Sequence, residues 1–313
     1  MSCARRLTST PLAERSPLRL LRWTYILSFI LLASIRIMIE NIWGYEPIVP
    51  LAVAAAAVFG LGAAIQLIQA IYYRTKFFVA FIVGAFMMTL GYVLRTLSVL
   101  HPNNIALYAL QNIFILLPPS LYAATLYMTY SRLVVLVDEP QASILRPQMV
   151  TNFFVCIDMF SFLATAGGGA MISVEEMAPT GKKLEILGLA LQLLSFCLFL
   201  AIAIVFRIRI RKTVTEAATK KHGRYSWKTL HSLLMAAAVL IIIRATYRII
   251  EFSETEVFVG TLMRREGYAY VLDAVPMFVL QTMFSVVHAG QVLPRKGEGR
   301  EKIEGYLGIT ADR

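Results

Sequence analysis

Seven long apolar runs, each about as long as a bilayer crossing, constrain this chain more than any other feature. They lie near Pro47–Ile71, Phe77–Val99, Ile105–Leu133, Val150–Ser173, Leu184–Phe206, Leu230–Ile250 and Tyr268–Leu293. About 20 predominantly apolar residues suffice to cross the hydrocarbon core as a helix. Backbone in lipid must satisfy its own N–H and C=O groups, so runs of this kind cross as helices. No series of short alternating strands is present, which argues against a β-barrel. The expected fold class is therefore all-α, a polytopic seven-transmembrane-helix bundle over residues 45–293.

The connections between the runs alternate in charge. The first holds Arg74 and Lys76, and the third holds Arg132 and Arg146 against Asp138 and Glu139. The fifth is the most basic, with Arg207, Arg209, Arg211, Lys212, Lys220, Lys221, Arg224 and Lys228 opposed by Glu216. Cytoplasmic loops concentrate Lys and Arg, so these three are expected inside and the bundle is expected N-out, C-in. One alternate connection carries Glu175, Glu176, Lys182, Lys183 and Glu185 and reads as an outer loop. The polar tail, 294–313, then lies in the cytoplasm, and the segment 207–228 is a candidate contact for a cytoplasmic partner. Residues 1–44 form a separate basic segment, in which Arg5, Arg6, Arg15, Arg19 and Arg22 precede an apolar run at 24–35. That pattern is signal-like or a weak signal anchor, and a disordered presequence or a mis-set start codon fits it as well.

The net charge of +11 raises nucleic-acid binding, but the excess sits in short loops between apolar runs. Such loops determine topology and meet anionic lipid, so membrane lipids are the expected partners and nucleic acid is not. The three cysteines, Cys3, Cys156 and Cys197, form no CxxC pair, and the four histidines (His101, His222, His231, His288) are scattered. No metal or cofactor is expected. There is no P-loop lysine motif, so the chain is not expected to hydrolyse ATP itself. Nothing in the sequence bears on oligomeric state.

Charge inside the apolar runs is the main signal for function. Arg244, Arg248 and Glu251 fall at i, i+4, i+7 in the sixth run, and Glu266, Tyr270 and Asp273 repeat that spacing at the mouth of the seventh. Each triplet shares one helix face. Antiparallel neighbours at this depth bring Arg244 or Arg248 against Asp273. The result is an ion-pair lock between two helices, a charged wall of an outward-facing cavity that holds a polar head, or both. Arg95 closes the second helix, where it snorkels to the interface or joins the same polar path. Asp158 stands alone in the fourth run and either pairs with another helix or takes part in proton coupling. The third run carries Gln111, Asn112, Pro118 and Pro119, then Tyr122, Tyr127 and Arg132. Its paired prolines remove two backbone donors and predict a kink with exposed carbonyls. Gly167, Gly168 and Gly169 permit close helix approach or a hinge, and His288 sits near the inner end of the seventh helix.

Together these residues resemble the fungal RTA-like family of lipid-translocating exporters, named for resistance to aminocholesterol. The resemblance begins with Tyr45, Pro47, Tyr73-Arg74 and Gly91-Tyr92-x-x-Arg95. It continues through Gln111, Leu116 to Pro118, Leu121-Tyr122-Ala123-Ala124, Tyr127, Arg132 and Phe154-Val155-x-x-Asp158. Gly167-Gly168-Gly169, Arg244-x-x-Tyr247-Arg248-x-x-Glu251, Glu266, Tyr270, Asp273 and His288-x-Gly290 complete it. Thr165 stands where the family often has Gln, and Ala289 where Pro is common. The resemblance implies a multi-pass protein of the plasma membrane or internal membranes that moves sphingoid bases or other amphiphiles and supports tolerance of toxic ones. The polar path it implies includes Arg95, Gln111, Asp158, Arg244, Tyr247, Arg248, Glu251, Glu266, Tyr270 and Asp273. Facilitated, proton-coupled or indirect movement all remain open. The alternative is a receptor-like sensor of lipid or membrane stress, which shares the seven-helix layout. An intramembrane enzyme is not expected, because no His/Asp metal set or Ser/Lys pair falls on adjacent faces.

Overall fold

A computed structural model describes residues 48–101, 104–137, 141, 143–172, 176–210, 225–253, 266–293, 303 and 305–307. The segment 1–44 with its apolar run, Tyr45, Pro47, the connection 211–224 and most of the tail lie outside the described residues.

Among the described residues the regular structure is helical: α1 (Val49–Tyr73), α2 (Val79–Leu100), α3 (Ile105–Leu116), α4 (Pro118–Leu136), α5 (Pro147–Ile172), α6 (Ala178–Ile210), α7 (Trp227–Ser253), α8 (Glu266–Ala269) and α9 (Val275–Val286). A π-helical turn, Tyr270–Ala274, joins α8 to α9. Seven helical stretches are long and apolar enough to cross a membrane, with α3–α4 and α8–α9 each counting as one span. This is an all-α, multi-pass membrane bundle.

Local chemistry sets the helix ends. Pro50 occupies the first turn of α1, where its missing N–H costs nothing. Arg74 closes that helix in the left-handed region (φ 53°), and its N–H caps Ala70 and Ile71. The Asn104 side chain accepts from Leu107 N at the start of α3. Pro118 and Pro119 divide the third span, because neither can donate back to the preceding turn.

Large aliphatic side chains cover the outer faces of the helices, and the interior combines alanines, aromatic rings and buried polar groups. On α1 the buried positions are Ala52, Phe59, Ala63, Gln66 and Ala70, at helical spacing. Leu61, Ile68 and Ile71 on its other side are each about two-thirds exposed (66%, 66%, 68%). Lipid solvates aliphatic side chains as well as a protein core does, so helix contacts select small residues and hydrogen-bonding groups instead.

Consecutive spans pack side by side, most extensively α5 with α6, while α4 sits against α2, α5 and α7 at the centre. It buries Tyr122, Tyr127 and Tyr130 completely. The last span closes the ring by packing on α1 and α7. Gln66 Nε2 donates to the Gln281 carbonyl (3.0 Å) and Ser285 Oγ (2.9 Å), and Gln281 Nε2 returns to the Phe59 carbonyl (3.2 Å).

The fifth span runs beyond both limits of its apolar run. The helix is continuous from 178 to 210, so Lys182 and Lys183 belong to α6 and not to a loop, and so does Glu185, expected in the outer connection although it falls inside the apolar run. Lys and Arg near helix ends extend their charge toward water while their backbone stays helical. The helix is therefore longer than its apolar run.

Candidate functional site: a buried charge network

Asp273 is the centre of the site. It lies in the π turn, 3% exposed, and both carboxylate oxygens are engaged. Arg244 Nε ion-pairs with Oδ1 at 2.5 Å, and Arg248 Nη2 pairs with Oδ2 at 2.5 Å. Arg248 Nε also donates to Oδ1 (3.3 Å), which makes the Arg248 grip two-pronged. Its Nη1 reaches Glu251 Oε2 at 2.9 Å, three residues on in the same helix. The π turn inserts an extra residue into the backbone ladder, with Val275 N–H bonded to the Tyr270 carbonyl. Such turns recur at functional positions because they re-aim a side chain without breaking the helix.

Arg244 connects this cluster to the kinked third span. Its Nη2 donates to the Ile115 carbonyl at 2.8 Å. In an unbroken helix that carbonyl would receive the N–H of residue 119, which is proline and has none. A guanidinium thus replaces the missing backbone donor. The carbonyl before it, Phe114, lies against Gly91 of α2, where a methyl would come within 3.1 Å of the oxygen.

Further residues surround the pair. The Arg95 guanidinium sits 5.4 Å from the centre of the Tyr270 ring and acts electrostatically on Asp273. Tyr270 neighbours Tyr92, which stacks on Phe59 at 5.2 Å. Tyr247 is buried beside Arg248. Gln111 is fully buried one turn from Ile115 on α3, and neither side-chain polar atom has a hydrogen-bond partner among the described residues. Glu251 is the most open of the ion-paired groups, its side chain 20% exposed against 4% for Asp273. Glu266 is the first residue of α8, and the role expected of its side chain lies outside the described residues.

Asp158 is apart from this cluster. It is 4% exposed on α5 and accepts from Tyr127 Oη of α4 at 2.9 Å, with Ser195 of α6 beside the same carboxylate. Its neighbours are hydroxyls, and no ion pair reaches it among the described residues. Of the three consecutive glycines only Gly168 is pressed by a neighbour's backbone: a methyl there would lie 2.6 Å from both Gly181 O and Glu185 N. Gly167 has ordinary clearance and Gly169 faces open space. His288 accepts from Gly290 N through Nδ1 (3.0 Å) and stacks on Tyr73 at the opposite end of the bundle.

The structure thus gathers Arg95, Arg244, Tyr247, Arg248, Glu251, Tyr270 and Asp273 into one region and puts Asp158 elsewhere. It adds Glu185, read from sequence as a loop residue. Glu185 is 3% exposed on α6 and within electrostatic reach of Arg248 and Glu251. Its signal was a spacing of three to Gly188 and ten to Ser195 along one helix face. Among the described residues no three His, Cys, Asp or Glu side chains group as a metal site.

Seven apolar spans around a buried arginine–carboxylate network define an integral, multi-pass membrane protein. The chain belongs to the family described as RTA1 like protein, which matches residues 81–296. It is 32% identical to protoporphyrin uptake protein 1 of Saccharomyces cerevisiae over 67% of this chain and 67% of that protein. It is 24% identical to the probable lipid transporter atnI of Emericella nidulans, covering 81% of this chain and 68% of the relative. It is also 24% identical to the sphingoid long-chain base transporter RSB1 of Saccharomyces cerevisiae, over 79% and 73% respectively. No solved structure matches the chain.

Proposed function

We propose that this protein translocates an amphiphile with a cationic head and a long apolar tail, a sphingoid base or a molecule like it, and is not an enzyme. The names of relatives as a lipid transporter and a sphingoid long-chain base transporter support this reading. The single observation that carries it is the graded charge network. Asp273 is saturated by two guanidiniums and serves as the anchor, whereas Glu251 is held among the described residues by Arg248 and is partly exposed. An ammonium can take over Glu251 from Arg248 while Arg248 keeps its grip on Asp273. The tail meanwhile stays against the apolar outer faces of the helices, which cost it no desolvation.

The basic connections at the other end favour a cytoplasmic placement there, so the charge network would face the outer leaflet. The plasma membrane suits an export role that protects against toxic amphiphiles. Membrane lipids and the amphiphile are then the partners, with 207–228 as a surface for a cytoplasmic protein.

The test is flux of a fluorescent sphingoid base across vesicles holding the purified protein. Wild type is expected to accelerate flux, and Glu251→Gln to slow it about tenfold, as loss of one charge-assisted contact implies. Normal flux in E251Q at equal protein level would remove Glu251 from the path. Absence of any flux with wild type would instead support the sensor reading.

A further inference from the structure

α5 and α6 face one another through matching polar stripes. On α5 these are Asp158, Ser161, Thr165 and Gly168, and on α6 Glu185, Gly188, Gln192 and Ser195, each at steps of three, four and three. The helices run antiparallel, so Gly168 meets Glu185, Gly188 meets Thr165 and Ser161, and Ser195 meets Asp158. A methyl on Gly188 would lie 2.5 Å from Thr165 Oγ1 and 2.7 Å from the Ser161 carbonyl. The third helix, α4, contributes Ser120 to Gln192 (3.0 Å) and Tyr127 to Asp158 (2.9 Å). Small residues alone would pack this contact. The two acids add something that packing does not need.

Glu185 and Asp158 are 3% and 4% exposed, and Glu185 Oε2 and Asp158 Oδ1 lack hydrogen-bond partners among the described residues. Neither takes part in an ion pair among those residues. The ten-residue interval from Ser195 to Glu185 sets the two acids roughly 15 Å apart along the bundle. A carboxyl buried without a counter-ion has two forms open to it, charged and protonated. Hydroxyl neighbours suit both forms, since Tyr127 Oη donates to the carboxylate and Ser195 Oγ can accept from the acid.

Resting on the translocation reading above, we propose that Glu185 and Asp158 are the two proton stations of an exchange, in which a cationic amphiphile moves one way and a proton the other. The groups facing them are few. Among the described residues Tyr127 is the titratable group at Asp158, with Ser195 opposite on α6 and Phe199 packed on Tyr127. Arg248 and Glu251 of α7 bear on Glu185. When an ammonium enters the Arg248–Glu251 region, protonated Glu185 releases its proton and becomes the counter-ion. Only an O–H bond breaks, the cluster keeps its charge, and the proton leaves by way of Asp158 or to bulk water.

The experiment uses vesicles with wild-type protein, a fluorescent sphingoid base, a voltage clamp and a lumenal pH dye. A one-to-one exchange is expected to accumulate base about tenfold per pH unit of gradient, with a matching dye signal. Asp158→Asn and Glu185→Gln are expected to abolish the response to the gradient, and Asp158→Glu to keep it. Wild type that moves base with no dye response overturns the exchange but leaves translocation standing. Gradient-driven accumulation that survives in both D158N and E185Q overturns the assignment of these residues. Wild type that moves no base overturns both readings. The wild-type dye measurement decides even if a variant does not fold.

Discussion

Arg244 donates to the carbonyl of Ile115 in place of the amide that Pro119 lacks, at 2.8 Å. The same guanidinium holds Asp273, so one side chain ties the break in the third span to the π turn in the seventh.

The first prediction concerns that tie. Arg244→Met takes one of two guanidiniums from Asp273 and the donor from the Ile115 carbonyl, and Asp273→Asn takes the counter-ion from Arg244 and leaves Arg248 paired with Glu251. Each is expected to cost about 3–5 kcal/mol, as removal of one partner of a buried pair does. The double variant should lose clearly less than the sum, because neither charge is left alone. Thermal unfolding in detergent measures the cycle, and additive losses would show that the pair is not coupled.

Gly167, Gly168 and Gly169 look alike in sequence and separate in space. Gly168→Ala must push α5 off the α6 backbone and is expected to cost about 1–3 kcal/mol. Gly167→Ala and Gly169→Ala meet nothing closer than 3.9 Å and should be neutral or stabilising by up to about 1 kcal/mol, from helix propensity. Equal effects at all three positions would contradict the close approach.

The seven spans were legible because hydrocarbon demands long apolar helices whatever their partners. The kink was legible too, since two adjacent prolines remove donors in any context. What filled the vacancy was not, because Arg244 and Ile115 lie 129 residues apart. Arg244, Arg248 and Asp273 announced themselves as charges inside apolar runs. Glu185 did not, because nearby Lys182 and Lys183 gave its stretch the composition of a loop. The π turn left no trace, as its sequence fits a regular helix equally well. Ser195 and Gln192 were silent for another reason: single hydroxyls and amides are common in membrane helices, and only the facing stripe on α5 gives them meaning.

Removing one residue from the π turn tests why it exists. Deleting Val271, whose side chain is 59% exposed, should restore an ordinary helix while α8 and α9 keep their places. Asp273 would then rotate relative to both arginines. The deletion is expected to reproduce the stability loss of D273N, and a variant as stable as wild type would show that the turn does not aim Asp273.

The glutamine contact between α1 and α9 supplies a fourth test. Gln66→Leu removes two hydrogen bonds, worth about 0.6 kcal/mol each in a membrane interior. Gly62→Ala should cost less, because its methyl, within 2.5 Å of Gln281 Nε2, displaces the end of a flexible side chain and one bond, that to the Phe59 carbonyl. Detergent melts rank the two, and the reverse order would argue against the described seam.

That seam also has a timetable. Gln66 is synthesised early, yet the carbonyl it bonds stands 215 residues further along the chain. Until the ribosome has delivered the final span, the first one carries an amide into the bilayer with no mate. Products cut short before Gln281 therefore hold an amide in hydrocarbon without this partner, an unfavourable state that the completed seam relieves.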